Sequence, residues 1–189
     1  IARKSYGASR SMLARGSVFT PRAATTHMVA REFIYKAIGL YHAARLPLFP
    51  DSKIKRGRSR SISSALEDLF ASFLIDNIDC DTVYIDQAIS IAGLGRKQQY
   101  PDISVAKNGI ITSFCDLKTD LGFHRDGLVD LCRKHYEWIR AGRGQSCGLK
   151  DGVTKERSEY SIAPEASYNV VILSEHNINR KVLDEQIAD

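Results

Sequence analysis

Apolar residues recur at steps of three and four along two N-terminal stretches of the chain, which predicts two amphipathic helices. The first covers about residues 26–46, ends before Pro47 and Pro50, and carries on its apolar positions Met28, Val29, Phe33, Ile34, Ala37, Ile38 and Tyr41. The second covers residues 61 or 63 to 75, with a serine as N-cap and with Glu67 and Asp68 in its early turns, where negative charge suits the helix dipole.

Three stretches with the composition of β-strands follow, at residues 82–91, 102–106 and 110–118. Lys107, Asn108 and Gly109 join the last two, which predicts a hairpin. A further amphipathic helix follows Gly122 and ends near Arg140, with inward positions at Leu128, Leu131, Cys132, Tyr136 and Ile139. A glycine-rich polar loop, a strand near residues 168–173 and a last helix from about residue 177 complete the order, which predicts an α/β fold with a mixed central sheet flanked by helices.

The composition fits one soluble domain over residues 1–189, with a basic arm and helical region over about 1–60 and a core over about 61–175. Hydrophobic residues make up 43% and charged residues 26%, values that are typical of globular proteins. No apolar run is long enough to cross a bilayer, and the start lacks the apolar core of a secretory signal. The four cysteines form no Cys-x-x-Cys pair, so we expect reduced thiols and a cytoplasmic protein.

Positive charge is concentrated in the first third of the chain. Residues 1–60 hold 13 Lys and Arg but only Glu32 and Asp51 as acids, whereas residues 61–189 hold 14 basic and 20 acidic side chains. The densest basic stretch consists of Lys53, Lys55, Arg56, Arg58 and Arg60. Clustered positive charge binds nucleic acid by releasing counterions. A solvated arm and, more weakly, an anionic membrane surface are the alternatives.

The strand at residues 110–118 ends in an unusual polar pair. Asp116 and Lys118 are two residues apart, so their side chains project from the same face, although the strand is otherwise apolar. Burying such groups costs on the order of several kcal/mol unless they pair or bind a metal. The pair is therefore either an ion pair at a sheet edge or part of a metal site.

Pro101-Asp102 followed by Asp116-Leu117-Lys118 resembles the signature of the PD-(D/E)XK nuclease superfamily, although Asp is the less common residue at the second acidic position. The superfamily often adds a Glu from a preceding helix, and Glu67 is the matching candidate. The resemblance covers about residues 61–135. It implies a restriction-endonuclease-like fold and a single nuclease domain whose catalytic core lies within residues 61–175.

The resemblance also implies roles for individual residues. Asp102 and Asp116 would bind Mg²⁺, with Mn²⁺ as a substitute, together with the backbone carbonyl of Leu117. Glu67 would reach the metal through water, and Lys118 would orient the attacking water and stabilise developing negative charge.

The function implied is a Mg²⁺-dependent endodeoxyribonuclease, foremost a type II restriction endonuclease that acts on double-stranded DNA as a homodimer. The alternatives are a repair, recombination or phage-defence nuclease of the same superfamily and a non-enzymatic nucleic-acid-binding domain. The candidate DNA-binding residues are Lys53, Lys55, Arg56, Arg58, Arg60, Arg96, Lys97 and Arg125. An ordinary basic loop is the alternative for Arg96 and Lys97.

The register of the hairpin tests the catalytic assignment. If Asn108 and Gly109 form a regular two-residue turn, Asp102 faces Cys115, and Asp102 and Asp116 lie on opposite faces. A shared metal requires both carboxylates on one side. We therefore expect a three-residue loop with a bulge at Gly109, or an equivalent irregularity elsewhere in the hairpin.

Overall fold

The computed structural model describes residues 27–95, 98–120, 127–175 and 178–188, and the side chains among them up to residue 185. These residues form a mixed α/β fold with a six-stranded sheet and four helices, as the sequence predicts at the level of fold class. The elements in chain order are α1 (Ala30–Ala44), α2 (Ser63–Asn77), β1 (Thr82–Ile85), β2 (Ala88–Ile91), β3 (Ile103–Lys107), β4 (Ile110–Lys118), α3 (Leu128–Gly142), β5 (Ser146–Lys150), β6 (Arg157–Ile172) and α4 (Arg180–Ala188). None of the described helices is both long and apolar enough to cross a membrane.

Helices α1 and α2 pack through aromatic side chains. The ring of Phe33 lies 5.8 Å from that of Phe70 and 5.2 Å from that of Phe73, measured between centroids. Both helices match their predicted positions, but the serine N-cap of α2 is wrong. Ile62 occupies the N-cap position and makes no side-chain capping hydrogen bond. Ser61 Oγ lies 3.1 Å from Ser63 Oγ and accepts a hydrogen bond from the backbone N–H of Ser63 at 3.3 Å.

The strands lie in the order β1-β3-β4-β6-β5-β2. Strands β4 and β6 are parallel, and every other neighbouring pair is antiparallel. The chain passes from β4 through helix α3 and then β5 before it enters β6, and parallel neighbours require a long crossover of this kind. The sheet is therefore mixed, and its one parallel pair lies at its centre.

The sheet curls until its two edges approach each other. Strands β1 and β2 are at opposite edges, yet only Asp86 and Gln87 separate them in the chain. The hydroxyl groups of Tyr84 on β1 and Tyr160 on β6 are 2.5 Å apart. The prediction of one strand over residues 82–91 is thus wrong, because the chain leaves one edge and joins the other at Asp86, whose φ is 47°.

The predicted polar loop after α3 is also wrong in part. It contains β5 and the first half of β6, whose outward residues are polar and give no apolar run. Strand β6 has extra residues opposite β4, since Ile111 pairs with Ile162 whereas Ser113 pairs with Ser167. Pro164 lies within this irregularity, which is where a strand tolerates proline.

The β3–β4 hairpin has a two-residue turn and a bulge elsewhere. Lys107 pairs with Ile110, and both turn residues have positive φ, 51° at Asn108 and 74° at Gly109, as a type I′ turn requires. The three-residue loop is therefore wrong, but the equivalent irregularity is present. Ala106 pairs with Ile111 and Val105 with Ser113, so Thr112 is the extra residue.

Two apolar clusters cover the two faces of the sheet. On one face, helices α1 and α2 bury residues of β3 and β4 that include Val105 and Leu117. On the other, Ile139 of α3 packs against Phe114 of β4 and Ile162 of β6, inside the curl. Since side chains alternate along a strand, Phe114, Asp116 and Lys118 face the curl, and the polar pair lies at the end of an apolar face.

Candidate functional site

Asp116 is the centre of a buried polar cluster at the end of β4. Its side chain is buried, with 2% of the residue surface exposed. Its Oδ2 atom lies 2.9 Å from Nδ1 of His135 and 3.6 Å from Nζ of Lys118, and it accepts a hydrogen bond of 2.8 Å from the hydroxyl of Tyr168. Strand β4, helix α3 and strand β6 together hold this carboxylate.

Asp102 directly precedes β3 and lies beside Asp116. Ile103 pairs with Cys115, so the continuing antiparallel register places Asp102 opposite Asp116. Opposite residues of an antiparallel pair project to the same face. Without the extra residue Thr112, the two carboxylates would lie on opposite faces.

The backbone of Leu117 connects the two acids. Its N–H donates a hydrogen bond of 2.7 Å to Oδ2 of Asp102. In a strand the N–H and C=O of one residue point to the same side, so the carbonyl of Leu117 also points towards β3. The next carbonyl, that of Lys118, points the other way and accepts from Leu173 N–H at 3.0 Å.

Further carboxylates surround Asp102. Burial raises the pKa of Glu67 on α2, and the charges of Asp102, Asp86 and Asp68 raise it further. Burial likewise raises the pKa of Asp102, against the lowering effect of the Leu117 N–H, while the charges of Asp116 and Asp86 add to the rise. Glu67 is therefore within electrostatic reach of Asp102, and both carboxyl groups lie in a region of negative charge.

Asp116 differs electrostatically from its neighbour. Burial alone would raise the pKa of Asp116, but the hydrogen bond with His135, the charge of Lys118 and the hydrogen bond from Tyr168 outweigh it, and the pKa is lowered. The surroundings of Asp116 thus favour its ionised form, whereas those of Asp102 disfavour it.

His135 and Tyr168 are functional candidates that the sequence did not identify. The inward stripe of α3 includes Leu128 and Ile139, with His135 one turn before Ile139, whereas Tyr136 is 41% exposed and its predicted inward position is wrong. The spacing of seven residues from Leu128 to His135 was the available signal. Tyr168 had none, because its contact depends on the register between two strands far apart in sequence.

A cleft opens beside Asp116, between α3 and the segment before β3. Its lining residues are Gln99, Tyr100, Pro101, Phe114, Asp116, His135, Trp138, Ile139 and Tyr168. Helix α1 contacts the chain directly after Lys118, where the hydroxyl of Tyr41 donates to the carbonyl of Thr119.

The predicted DNA-binding residues fall into three groups. Lys53, Lys55, Arg56 and Arg58 are exposed in the loop between α1 and α2. Arg60 is instead partly buried and donates from Nη2 to the carbonyl of Ala43 at 3.0 Å, so this side chain supports the end of α1. The remaining candidates, Arg96, Lys97 and Arg125, lie outside the described residues.

The donor set at this site suits a hard cation. Within the described ranges, no group of three or more His, Cys, Asp or Glu side chains is placed to hold a metal ion. The candidate set is instead two carboxylates and the carbonyl of Leu117, with Glu67 nearby. Mg²⁺ prefers oxygen ligands, commonly only one or two of them carboxylates, and keeps several waters. A cation there would also offset the negative charge that raises the pKa of Asp102.

The opposite pKa shifts predict opposite effects of neutralising the two acids. Asp102 has a raised folded-state pKa, so its ionised form costs stability at neutral pH, and this cost disappears as the pH falls below its unfolded value of about 3.9. Asp102→Asn is therefore expected to raise the melting temperature at pH 7, with a gain that shrinks towards pH 4.

Asp116→Asn is expected to lower the free energy of unfolding at pH 7 by about 1–3 kcal/mol, and with it the melting temperature, because Lys118, His135 and Tyr168 lose a charged partner. The lowered pKa of Asp116 stabilises the fold above about pH 3.9, and this stability is lost as the pH falls through the folded-state value. Calorimetry at several pH values measures both effects. Equal changes of melting temperature in Asp102→Asn and Asp116→Asn would contradict the opposite pKa shifts of the two acids.

Comparison of the chain with models of protein families, with curated proteins and with solved structures found no match.

Proposed function

We propose that this protein is a Mg²⁺-dependent endodeoxyribonuclease of the PD-(D/E)XK type with a restriction-endonuclease-like fold. The observation that carries the proposal is the register of the β3–β4 hairpin. The extra residue Thr112 puts Asp102 opposite Asp116, and Lys118 lies 3.6 Å from Asp116. The residues that match the superfamily signature thus converge at one place.

The order of the elements supports the same proposal. The acid-bearing helix α2 precedes the sheet, the two signature segments lie directly before β3 and at the end of β4, and helix α3 and strands β5 and β6 follow. This is the arrangement that the resemblance implies. Glu67 on α2 is close enough to Asp102 for the charge of Asp102 to raise the pKa of Glu67.

In this mechanism, Asp102, Asp116 and the carbonyl of Leu117 would hold the metal, and Glu67 would reach it through water. The metal, when bound, supplies a water of lowered pKa and positive charge at the attacked phosphate. Lys118 would orient the attacking water and stabilise the negative charge that develops on the phosphate. His135 and Tyr168 hold Oδ2 of Asp116 and fix the direction of its carboxylate, as partners of metal ligands commonly do.

The basic loop between α1 and α2 supports DNA as the substrate. Lys53, Lys55, Arg56 and Arg58 are exposed there, and phosphate contacts of this kind supply sequence-independent affinity. Within this class we propose a type II restriction endonuclease that acts as a homodimer in the cytoplasm. A repair, recombination or phage-defence nuclease is the alternative.

Incubation with a supercoiled plasmid tests the function. We expect nicked and linear DNA with Mg²⁺ or Mn²⁺, none with EDTA, and at least a roughly hundredfold slower cleavage by Asp102→Asn. Glu165→Gln is the matched control, since Glu165 is an exposed carboxylate of β6, and it should cleave like the wild type. Discrete fragments would indicate restriction and a smear the alternative nuclease. DNA binding without metal-dependent cleavage would reject the nuclease and indicate a non-enzymatic nucleic-acid-binding domain.

A further inference from the structure

The loop between α1 and α2, residues 45–62, exposes large apolar side chains. Phe49 is 78% exposed, and Leu46, Leu48 and Ile54 are also exposed. Pro47 and Pro50 surround Leu48 and Phe49, and proline restricts the backbone of such a segment. A contiguous set of exposed apolar side chains on a restrained loop is typical of a binding element.

The same loop is strongly basic. Its exposed Lys53, Lys55, Arg56 and Arg58 face a single acid, Asp51, whose Oδ1 atom accepts the backbone N–H of Lys53 at 2.7 Å. A partner that suits this loop therefore combines negative charge with apolar surface. Double-stranded DNA offers phosphates outside and base faces inside, and minor-groove proteins insert Phe or Leu between base steps.

The loop starts and ends close to the candidate active site. Near its start, Tyr41 on α1 donates to the carbonyl of Thr119, one residue after Lys118. After its end, Glu67 lies in the second turn of α2 and interacts with the charge of Asp102. The two helices that carry the loop are thus each linked to the candidate site, α1 by a hydrogen bond and α2 by the charge of Glu67.

A lipid surface fits the loop less well. Interfacial membrane elements are commonly amphipathic helices with one apolar face, whereas residues 45–62 contain no helix. In the loop the apolar Ile54 alternates directly with Lys53 and Lys55. An exposed phenylalanine flanked by basic side chains matches a wedge that enters a groove between two phosphate backbones.

We propose that the α1–α2 loop is a DNA wedge that inserts Phe49, with Leu48 beside it, between base pairs while its Lys and Arg side chains bind the flanking phosphates. The position of the wedge near the cleaved bond rests on the proposed function, but the insertion itself does not. An unstacked step also unwinds and kinks the duplex. Unwinding can be measured without knowing any recognition sequence.

The experiment uses the full chain carrying Asp102→Asn, bound to closed circular plasmid in EDTA and relaxed by a metal-independent topoisomerase. We expect a shift to lower linking number, the loss of that shift in the additional variant Phe49→Ser, and its recovery in Phe49→Trp. DNA affinity should fall about tenfold in Phe49→Ser, as expected for the loss of a stacked aromatic side chain. Val153→Ser is the matched control, because Val153 is 90% exposed outside the loop, and it should unwind like the parent.

A double variant separates the contribution of the basic side chains from that of the inserted phenylalanine. Lys55→Gln combined with Arg56→Gln should weaken DNA binding. The slope of log affinity against log salt concentration should fall by about one for each phosphate that is no longer neutralised. Unwinding at saturating protein should be retained.

Three results would overturn the wedge: unwinding by Phe49→Ser equal to that of the parent, Phe49-dependent binding to anionic vesicles without DNA unwinding, or a change from dimer to monomer in Phe49→Ser with DNA binding intact. Unwinding without any cleavage by the wild type would reject the nuclease and keep the wedge. Cleavage by the wild type, together with unwinding that does not depend on Phe49, would reject the wedge and keep the nuclease.

Discussion

Lys118→Met is expected to slow metal-dependent DNA cleavage by about 10²- to 10³-fold, as the removal of one preorganised charge-stabilising group does in other enzymes. Methionine keeps most of the length and packing of the lysine side chain, which is 10% exposed. The variant removes the ammonium beside Asp116 but keeps both acids and the carbonyl of Leu117. Binding of Mn²⁺, followed by electron paramagnetic resonance, should therefore persist.

Single-turnover cleavage with saturating protein measures the effect, because it separates the chemical step from DNA binding. The matched control is Lys36→Met, since Lys36 is a half-exposed lysine of α1 that pairs with Glu32 at 2.9 Å, and surface pairs of this kind contribute little. An unimpaired Lys118→Met variant would contradict the nuclease proposal. Loss of folding, checked by circular dichroism, would identify Lys118 as a structural residue instead.

Local patterns predicted the elements that carry the signature. Strand β4 has the predicted bounds, Ile110–Lys118, because a β-branched run there follows an Asn-Gly turn. Helix α2 (Ser63–Asn77) follows from the spacing of its apolar residues. These elements are decided by interactions within a few residues of the chain, which is the range that sequence periodicity reports.

Long-range pairing decided the rest and left no local signal. The split of residues 82–91 into β1 and β2 depends on which edge of the curled sheet each segment joins. The contact of Tyr168 with Asp116 depends on the parallel register in which Phe114 faces Tyr168. The need for an irregularity in the hairpin was predictable from chemistry, but its place at Thr112 was not.

The two acids of the site show how a fold supports buried charge. Asp116 has three partners, and its pKa is lowered despite burial. Asp102 has the Leu117 N–H but also the repulsion of neighbouring acids, and its pKa is raised. An arrangement that only stabilised the fold would not place carboxylates together, since removing one of them relieves repulsion. The position of Asp102, whose ionised form is disfavoured by burial and by neighbouring acids, is therefore the observation that favours a functional role.

Phe114→Ala is expected to lower the free energy of unfolding by about 3–5 kcal/mol, a large share of the roughly 5–15 kcal/mol that domains possess. Phe114 is fully buried, and its ring meets that of Trp138 on α3 edge to face, with centroids 5.9 Å apart. Its loss leaves a cavity between β4 and the helix that carries His135. Urea unfolding followed by tryptophan fluorescence measures the change.

The same substitution at Phe49 provides the matched control for packing. Phe49 is 78% exposed, so Phe49→Ala should change the unfolding free energy by no more than about 0.5 kcal/mol. Phe114→Leu, which keeps most of the apolar volume, should fall between the two alanine variants. Because Phe114 lies two residues before Asp116 on the same face of β4, Phe114→Leu should also retain more DNA cleavage than Phe114→Ala. Equal losses at the two phenylalanines would mean that Phe114 is not packed against α3, and that His135 is not held beside Asp116 by this contact.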